Sequence, residues 1–190
     1  MDTAKRALLM FWSGSILGVV TMIYQQNVSD TNKKQALENE VAKIIQKLKT
    51  DNPSFNPIKK GDYGQSNDFS FAVIDVSYAT SVMGNMFGFP KKIDITGKAA
   101  IVEIAVWNHK NTNDILNFRS WTLVDDKLNR YSSHGNSGAV SEYRGGISNT
   151  TDLRPNNIFK FYAVFDINPD SYAVFLETGG CLPFSLATEK

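Results

Sequence analysis

Cysteine is nearly missing from this chain. Cys181 stands alone, so no intrachain disulfide can form, and a domain of more than a hundred residues can do without one. Histidine is almost as scarce. His109, His134 and Cys181 cannot supply the ligands of a structural zinc site, and no metal or cofactor is expected. Excess charge is lacking too: a net charge of +1 gives no electrostatic case for nucleic acid. No phosphate-cradling glycine loop or nucleophile–base spacing occurs, so the expectation is binding or structural work rather than catalysis. Asp125, Asp126 and Asn129 fall close together, but they fail the calcium-loop pattern and are read as a solvated hairpin turn.

What the chain does have is apolar residues, 42% of the total, and aromatics at 12%, enough for a sizeable core. One apolar run is long. Ala7 to Tyr24 carries no charge, and as a helix it would span about 27 Å, enough for a hydrocarbon core. Lys5 and Arg6 precede it, which keeps residues 1–6 in the cytoplasm and exports the remainder. Gln25-Gln26-Asn27-Val28-Ser29 is a poor cleavage site, so the run is read as a retained single-pass anchor in an inner or plasma membrane. Cleavage would instead give a secreted protein. No cysteine follows the run, which excludes a lipoprotein anchor. Gly14-x-x-x-Gly18 would let two such helices approach as a dimer, a pattern that also arises by chance.

Asp30 or Thr31 can cap a helix over residues 30–50. Leu37, Val41, Ile44 and Leu48 form its apolar stripe, widened by Ile45. Two readings of the stripe stand: packing on the chain's own domain, or a short coiled coil beside the membrane. Residues 51–66, with two prolines and two glycines, read as a linker.

Residues 67–190 read as an antiparallel immunoglobulin-like β-sandwich of about seven short strands separated by turns. Alternation marks the strands. Val102, Ile104 and Val106 share one face opposite Ile101, Glu103, Ala105 and Trp107. Phe161, Ala163, Phe165 and Ile167 share another, and Asn168-Pro169-Asp170-Ser171 turns that strand into Tyr172–Glu177. On Phe69–Tyr78, alternation puts Phe69, Phe71, Val73 and Asp75 on one side and Ala72, Ile74, Val76 and Tyr78 on the other, leaving both faces apolar. A further strand is expected from about Ile115 to Val124.

Certain of these residues carry a resemblance. The strand Val102-x-Ile104-x-Val106-x-Asn108, then Phe118, Trp121, Leu123, Asp125 and Tyr131, resembles a bacterial family of immunoglobulin-like domains. That family is known as domain of unknown function 4352 and is related to secreted mycobacterial immunogenic proteins. Asp152-Leu153-Arg154-Pro155-Asn156-Asn157 and the strand after it are similar to that family's Leu-x-Pro-Gly-Glu turn and following strand. Asn156 stands where the family usually has Gly, and Asn tolerates the left-handed backbone such a turn needs. The resemblance runs from Phe69 to Thr178. It implies a domain outside the membrane, on an anchor, and not an enzyme.

Two stretches offer candidate sites. Ser81 to Pro90 mixes turn glycines with Met83, Met86, Phe87 and Phe89. An exposed loop of this kind would be a partner-binding or membrane-surface patch; the alternative is that it folds over an open end of the sandwich. Ser132 to Asn149 is rich in Ser, Gly and Asn and reads as a long loop with one short strand at Ala139-Val140. His134, Tyr143 and Arg144 are its candidate binding residues, and His134 with Glu142 would be the base candidates of an enzyme. Cys181 reads as a small buried hydrophobe. The expected partners are the lipid bilayer through the N-terminal helix, a protein of the bacterial envelope and, through the N-terminal helices, a second copy. The main alternative is a bitopic structural subunit of a secretion or envelope complex, whose known periplasmic domains need several long helices after the span.

Overall fold

A computed structural model of the chain describes residues 57–66, 69–115, 121–148, 151–178 and 181–186. It also describes a helical stretch comprising Gln35, Ala36, Asn39, residues 42–48, Thr50 and Asp51. The anchor expected at Ala7–Tyr24 lies outside the described residues, and so do Leu37, Val41 and Phe118. Among the described residues no helix is long and apolar enough to cross a membrane. The chain divides into two compact units, Met1–Glu40 and Val41–Lys190. In the first, Gln35, Ala36 and Asn39 are helical. In the second, the helix exposes Lys43, Gln46 and Lys47 and buries Ile45, with Ile44 and Leu48 half-buried. Among the described residues of the helix, Ile45 is thus buried more deeply than Ile44 or Leu48.

The remainder is a mainly β structure of two antiparallel sheets. The first takes β1 (Tyr63–Ser66), β2 (Phe69–Ala79), β5 (Lys98–Asn108) and β10 (Ile158–Ile167), in that order. The second takes β12 (Phe184–Ser185), β11 (Ala173–Glu177), β7 (Thr122–Asp125) and β8 (Arg130–Ser132). Two ribbons join them: β3 (Val82–Met86) with β4 (Phe89–Ile93), and β6 (Asp114–Ile115) with β9 (Asp152–Leu153). The strand expected from Ile115 to Val124 is two strands, β6 and β7, with residues 116–120 outside the description.

The alternation in β5 and β10 sets the main core. Ala100, Val102, Ile104 and Val106 pair across the ladder with Phe165, Ala163, Phe161 and Phe159, so one face of both strands points between the sheets. Trp121, only 1% exposed, fills the centre with its ring edge-on to Phe71 and Phe161. The phase expected for β2 is corrected halfway along. A bulge between Val73 and Asp75 sets Val76 and Tyr78 opposite Val102 and Ala100, and both pack on the core; Ile74 turns outward, 45% exposed. A single extra residue thus converts a strand with two apolar faces into one with a continuous inner face.

Three further expectations are corrected. The supposed linker contributes to the sandwich: β1 pairs with β2, and Ile58 exchanges backbone hydrogen bonds with Pro183 and Ser185, joining the two sheets along one side. Asp125 is not a solvated turn residue but is fully buried. Its carboxylate accepts from the amides of Lys127 and Asn129 at 2.9 and 2.8 Å, from Asn129 Nδ2 at 3.0 Å and from the Tyr131 hydroxyl at 2.8 Å. The third concerns Ser132–Asn149, whose centre is the helix α1 (Ser137–Tyr143) rather than a strand at Ala139-Val140. The turn at Asn156 has the left-handed backbone anticipated for it, with φ 57°.

Helix α1 has a definite task. β10 is an edge strand, and an open edge is a template for unwanted pairing. Ser137 and Ser141 lie one helical turn apart, about 6 Å along the axis, close to the two-residue repeat of a strand, about 6.7 Å. Their hydroxyls accept the outward amides of Val164 and Tyr162 at 3.0 and 3.1 Å. The His134 amide and the Ile147 amide donate to the carbonyls of Val164 and Lys160. A helix with two serines stands where another strand would pair.

Two outcomes follow from these contacts. Ser141→Ala leaves the Tyr162 amide buried without its acceptor and should destabilise the domain by about 1–2 kcal/mol in urea unfolding; an unchanged midpoint would show that the edge has another cover. Asp125 should make stability acid-sensitive. Burial pushes its carboxyl up, but the hydrogen bonds from Asn129 and Tyr131 outweigh that and hold it below the ordinary value. The stability so gained is complete above the unfolded value of about 3.9 and is lost as pH falls through the lower folded value. Urea midpoints below about pH 4 should therefore fall more steeply in the wild type than in Asp125→Asn.

Candidate functional site

The first sheet has an outer face as well as an inner one. Ala99, Ile101, Tyr162 and Val164 project there and would face water without a cover. Val82 and Ile93 from the base of the β3–β4 hairpin and Val140 from α1 pack on them as a second, smaller core. Gly84 permits the fit: a Cβ there would lie 3.0 Å from Ile93 Cδ1 and 3.2 Å from Ala139 Cβ. The Ser81–Pro90 stretch is thus a hairpin seated on the outer face of a sheet, not a loop closing an end of the sandwich.

The base of the hairpin is buried and its tip is bare. Met86 is half-buried against the second core, whereas Phe87 is 96% exposed and Phe89 74%. Met86 pairs with Phe89, which leaves Phe87-Gly88 as a two-residue turn with both φ angles positive, 56° and 85°. That is the turn that matches the twist of hairpin strands, and it favours Asn or Gly at its first position. A phenylalanine there is strained and gains nothing by burial. Pro90, Lys91 and Lys92 follow on β4, all exposed.

The structure brings the seven sequence candidates into the hairpin and the segment around α1. Met83, Met86, Phe87 and Phe89 are on the hairpin; Met83 lies on its other face, opposite Lys92. Tyr143 ends α1, 48% exposed, and the Arg144 guanidinium lies 5.6 Å from the centre of the Tyr162 ring. His134 precedes α1, and its Nδ1 accepts the Asn136 amide at 3.2 Å. Glu142 is near the far end of the helix, so the two base candidates are not brought together.

Sequence reasoning missed three clusters. Lys91 and Lys92 fell just beyond the stretch singled out. Ser70 Oγ and His109 Nε2 are 2.5 Å apart beside Trp107, although 39 positions separate the two residues. Ser70 is 6% exposed, and among the described residues no carboxylate hydrogen-bonds to His109, so the pair ties β2 to the end of β5. Lys98 Nζ sits 5.0 and 4.2 Å from the ring centres of Tyr78 and Tyr172. Burial pushes the Tyr78 phenol up to about 12, opposed by its hydrogen bond from the Ala173 amide, and burial lowers Lys98. No sequence pattern announces these contacts between distant residues. Among the described residues no group of three or more His, Cys, Asp or Glu is placed to hold a metal ion.

No protein-family model matches this chain, and no curated protein matches it significantly. Two solved structures are similar to it. One is the secreted protein MPT63 of Mycobacterium tuberculosis, with a TM-score of 0.50 and 12% identity, covering 70% of this chain and 99% of that one. The other is an uncharacterised β-sandwich protein of Clostridium difficile, with a TM-score of 0.46 and 10% identity, covering 69% and 95%. At such identity the likeness to MPT63 speaks for the β-sandwich fold alone.

The strained tip makes its own prediction. Phe87→Asn gives up almost no buried surface and suits the left-handed position, so the domain should gain about 1 kcal/mol in urea unfolding with an unchanged slope. A loss of stability would mean that the Phe87 ring supports the fold.

Proposed function

We propose that this chain is a non-catalytic, extracytoplasmic binding or scaffold domain of a bacterial envelope, held by an anchor at Ala7–Tyr24 and engaging its partner through the β3–β4 tip. The observation that carries the reading is the exposure of Phe87, 96%, on a turn whose backbone disfavours phenylalanine, with Phe89, 74% exposed, beside it on β4. Neither packing nor backbone preference accounts for Phe87, and packing does not account for Phe89, whereas recognition of a partner by the protruding pair accounts for both.

Other features agree. Ile58 joins the sheets along one side, and Ser133, His134 and α1 carry the chain from the second sheet to the edge of the first on the other. The β3–β4 tip belongs to neither joint. The immunoglobulin-like family suggested by Asn108, Trp121, Asp125, Tyr131 and Asn156 would fit an address outside the membrane. His134 and Ser70 are occupied by structural hydrogen bonds, which favours binding over catalysis.

The test is made on the full chain in a bacterium, with a photoactivatable phenylalanine at position 87 and, as control, at Tyr63, which is 51% exposed on β1. The expected result is an intact chain in the membrane fraction, a sandwich open to external protease, and adducts from position 87 alone. A protease-protected soluble chain would overturn the address. Equal adducts from the two positions would overturn the role of the tip.

A further inference from the structure

Resting on the reading of the hairpin as the binding element, we infer that what the tip engages is an anionic lipid surface. Phe87 and Phe89 enter the interfacial layer, and Lys91 and Lys92 sit behind them at the level of the lipid phosphates.

Charge points this way. Residues 82–93 contain two lysines and no acid; the first acid beyond is Asp94. The lysines are placed on both sides of the ribbon, since Lys91 pairs with Gly84 on one face and Lys92 with Met83 on the other. A hairpin entering a bilayer end-on would thus meet headgroups with a cation on each face. Lys91 is two residues behind Phe89, about 6.7 Å along the strand, and a lysine side chain can reach from apolar surroundings to a phosphate. Phenylalanine rings suit the apolar side of that boundary, lysine the polar side.

Size points the same way. A specific protein interface needs roughly 800 Å² on each partner, far more than two side chains at the end of a hairpin present. A bilayer requires no matching shape, only apolar surface at the right depth and cations behind it. Rigidity adds to this. Val82 and Ile93 fix the hairpin on the sandwich and Met86 packs under the tip, so the rings are held out at a set position.

The experiment uses the full chain mixed with lipid nanodiscs and carrying Phe87→Trp, read as the difference from the wild type because Trp12, Trp107 and Trp121 are already present. An N-terminal anchor would hold the chain to either kind of disc, so dependence on lipid charge reports on the tip. Brominated acyl chains should quench the added indole in discs containing phosphatidylglycerol and several-fold less in phosphatidylcholine. Lys91→Glu with Lys92→Glu should abolish the difference. So should high salt, which screens the pairing without altering the chain. Acrylamide quenching of the added indole in both discs, or its protection from both quenchers, would overturn the assignment; the second result would mean that protein covers the tip. If bromolipid quenching fails but position 87 crosslinks to an envelope protein, only this inference falls. If both fail, the proposed role of the hairpin falls with it.

Discussion

The rest of the structure depends on the pairing of β5 with β10. Their register runs unbroken from Lys98 opposite Ile167 to Trp107 opposite Ile158. A slip of one residue would carry every side chain to the wrong face. Here both faces are committed. One supplies the core between the sheets, where Trp121, Phe161 and Phe165 are almost wholly buried, each adding roughly 1.5–3 kcal/mol against the entropy of ordering the chain. The other supplies the floor on which α1 and the hairpin rest. The position of the hairpin is therefore a consequence of the central ladder, two steps removed.

The same ladder creates the problem that α1 solves. A sheet ending at β10 has an open row of amides and carbonyls. Seven residues of helix close it only because Ser137 and Ser141 carry hydroxyls at a spacing near that of the strand. Val140 lies between them on the helix and packs into the second core. The helix thus binds the β10 edge, the outer face and the hairpin into one body. Asp125 does comparable work in the second sheet, where one carboxylate satisfies the turn between β7 and β8 and fixes Tyr131.

How much of this could be read from the sequence varies with the range of the interaction involved. Strands β5 and β10 announce themselves because a buried face repeats every second residue. Asn156 could be read because a single backbone angle decides it. The bulge in β2 could not, since Ile74 and Asp75 alternate normally and only the partner strand shows that the phase has shifted. Helix α1 was hidden by its composition: Ser137-Gly138-Ala139-Val140-Ser141 has little helical propensity and is held by contacts to β10. Strand β1 was masked by the glycines and prolines around it. Asp125 looked like a surface turn because two of the donors that satisfy it are backbone amides, which no sequence pattern displays. The site was half legible. Its Met and Phe residues stood out by type, whereas their division into a buried base and a bare tip depends on Gly84 meeting α1.

Phe87 is where these lines converge. Folding explains a residue by burying it, by hydrogen-bonding it or by suiting its backbone angle. Val82, Ile93 and Met86 are explained by the first, and Gly88 by the third. Phe87 is explained by none: its ring is in water and its φ lies where a β-carbon is unwelcome. Asparagine at this position would relieve the backbone without loss of packing. Leu128, 54% exposed at φ 64° in the turn between β7 and β8, shares the combination, but Phe87 is the larger side chain and the more exposed, at 96%. Strain of this kind persists where the rest of the fold outweighs it, and Val82, Ile93 and Met86 hold the hairpin on the sandwich. The proposed contact with a partner would repay it in addition, and Lys91 and Lys92, with no acid among residues 82–93, would favour an anionic one.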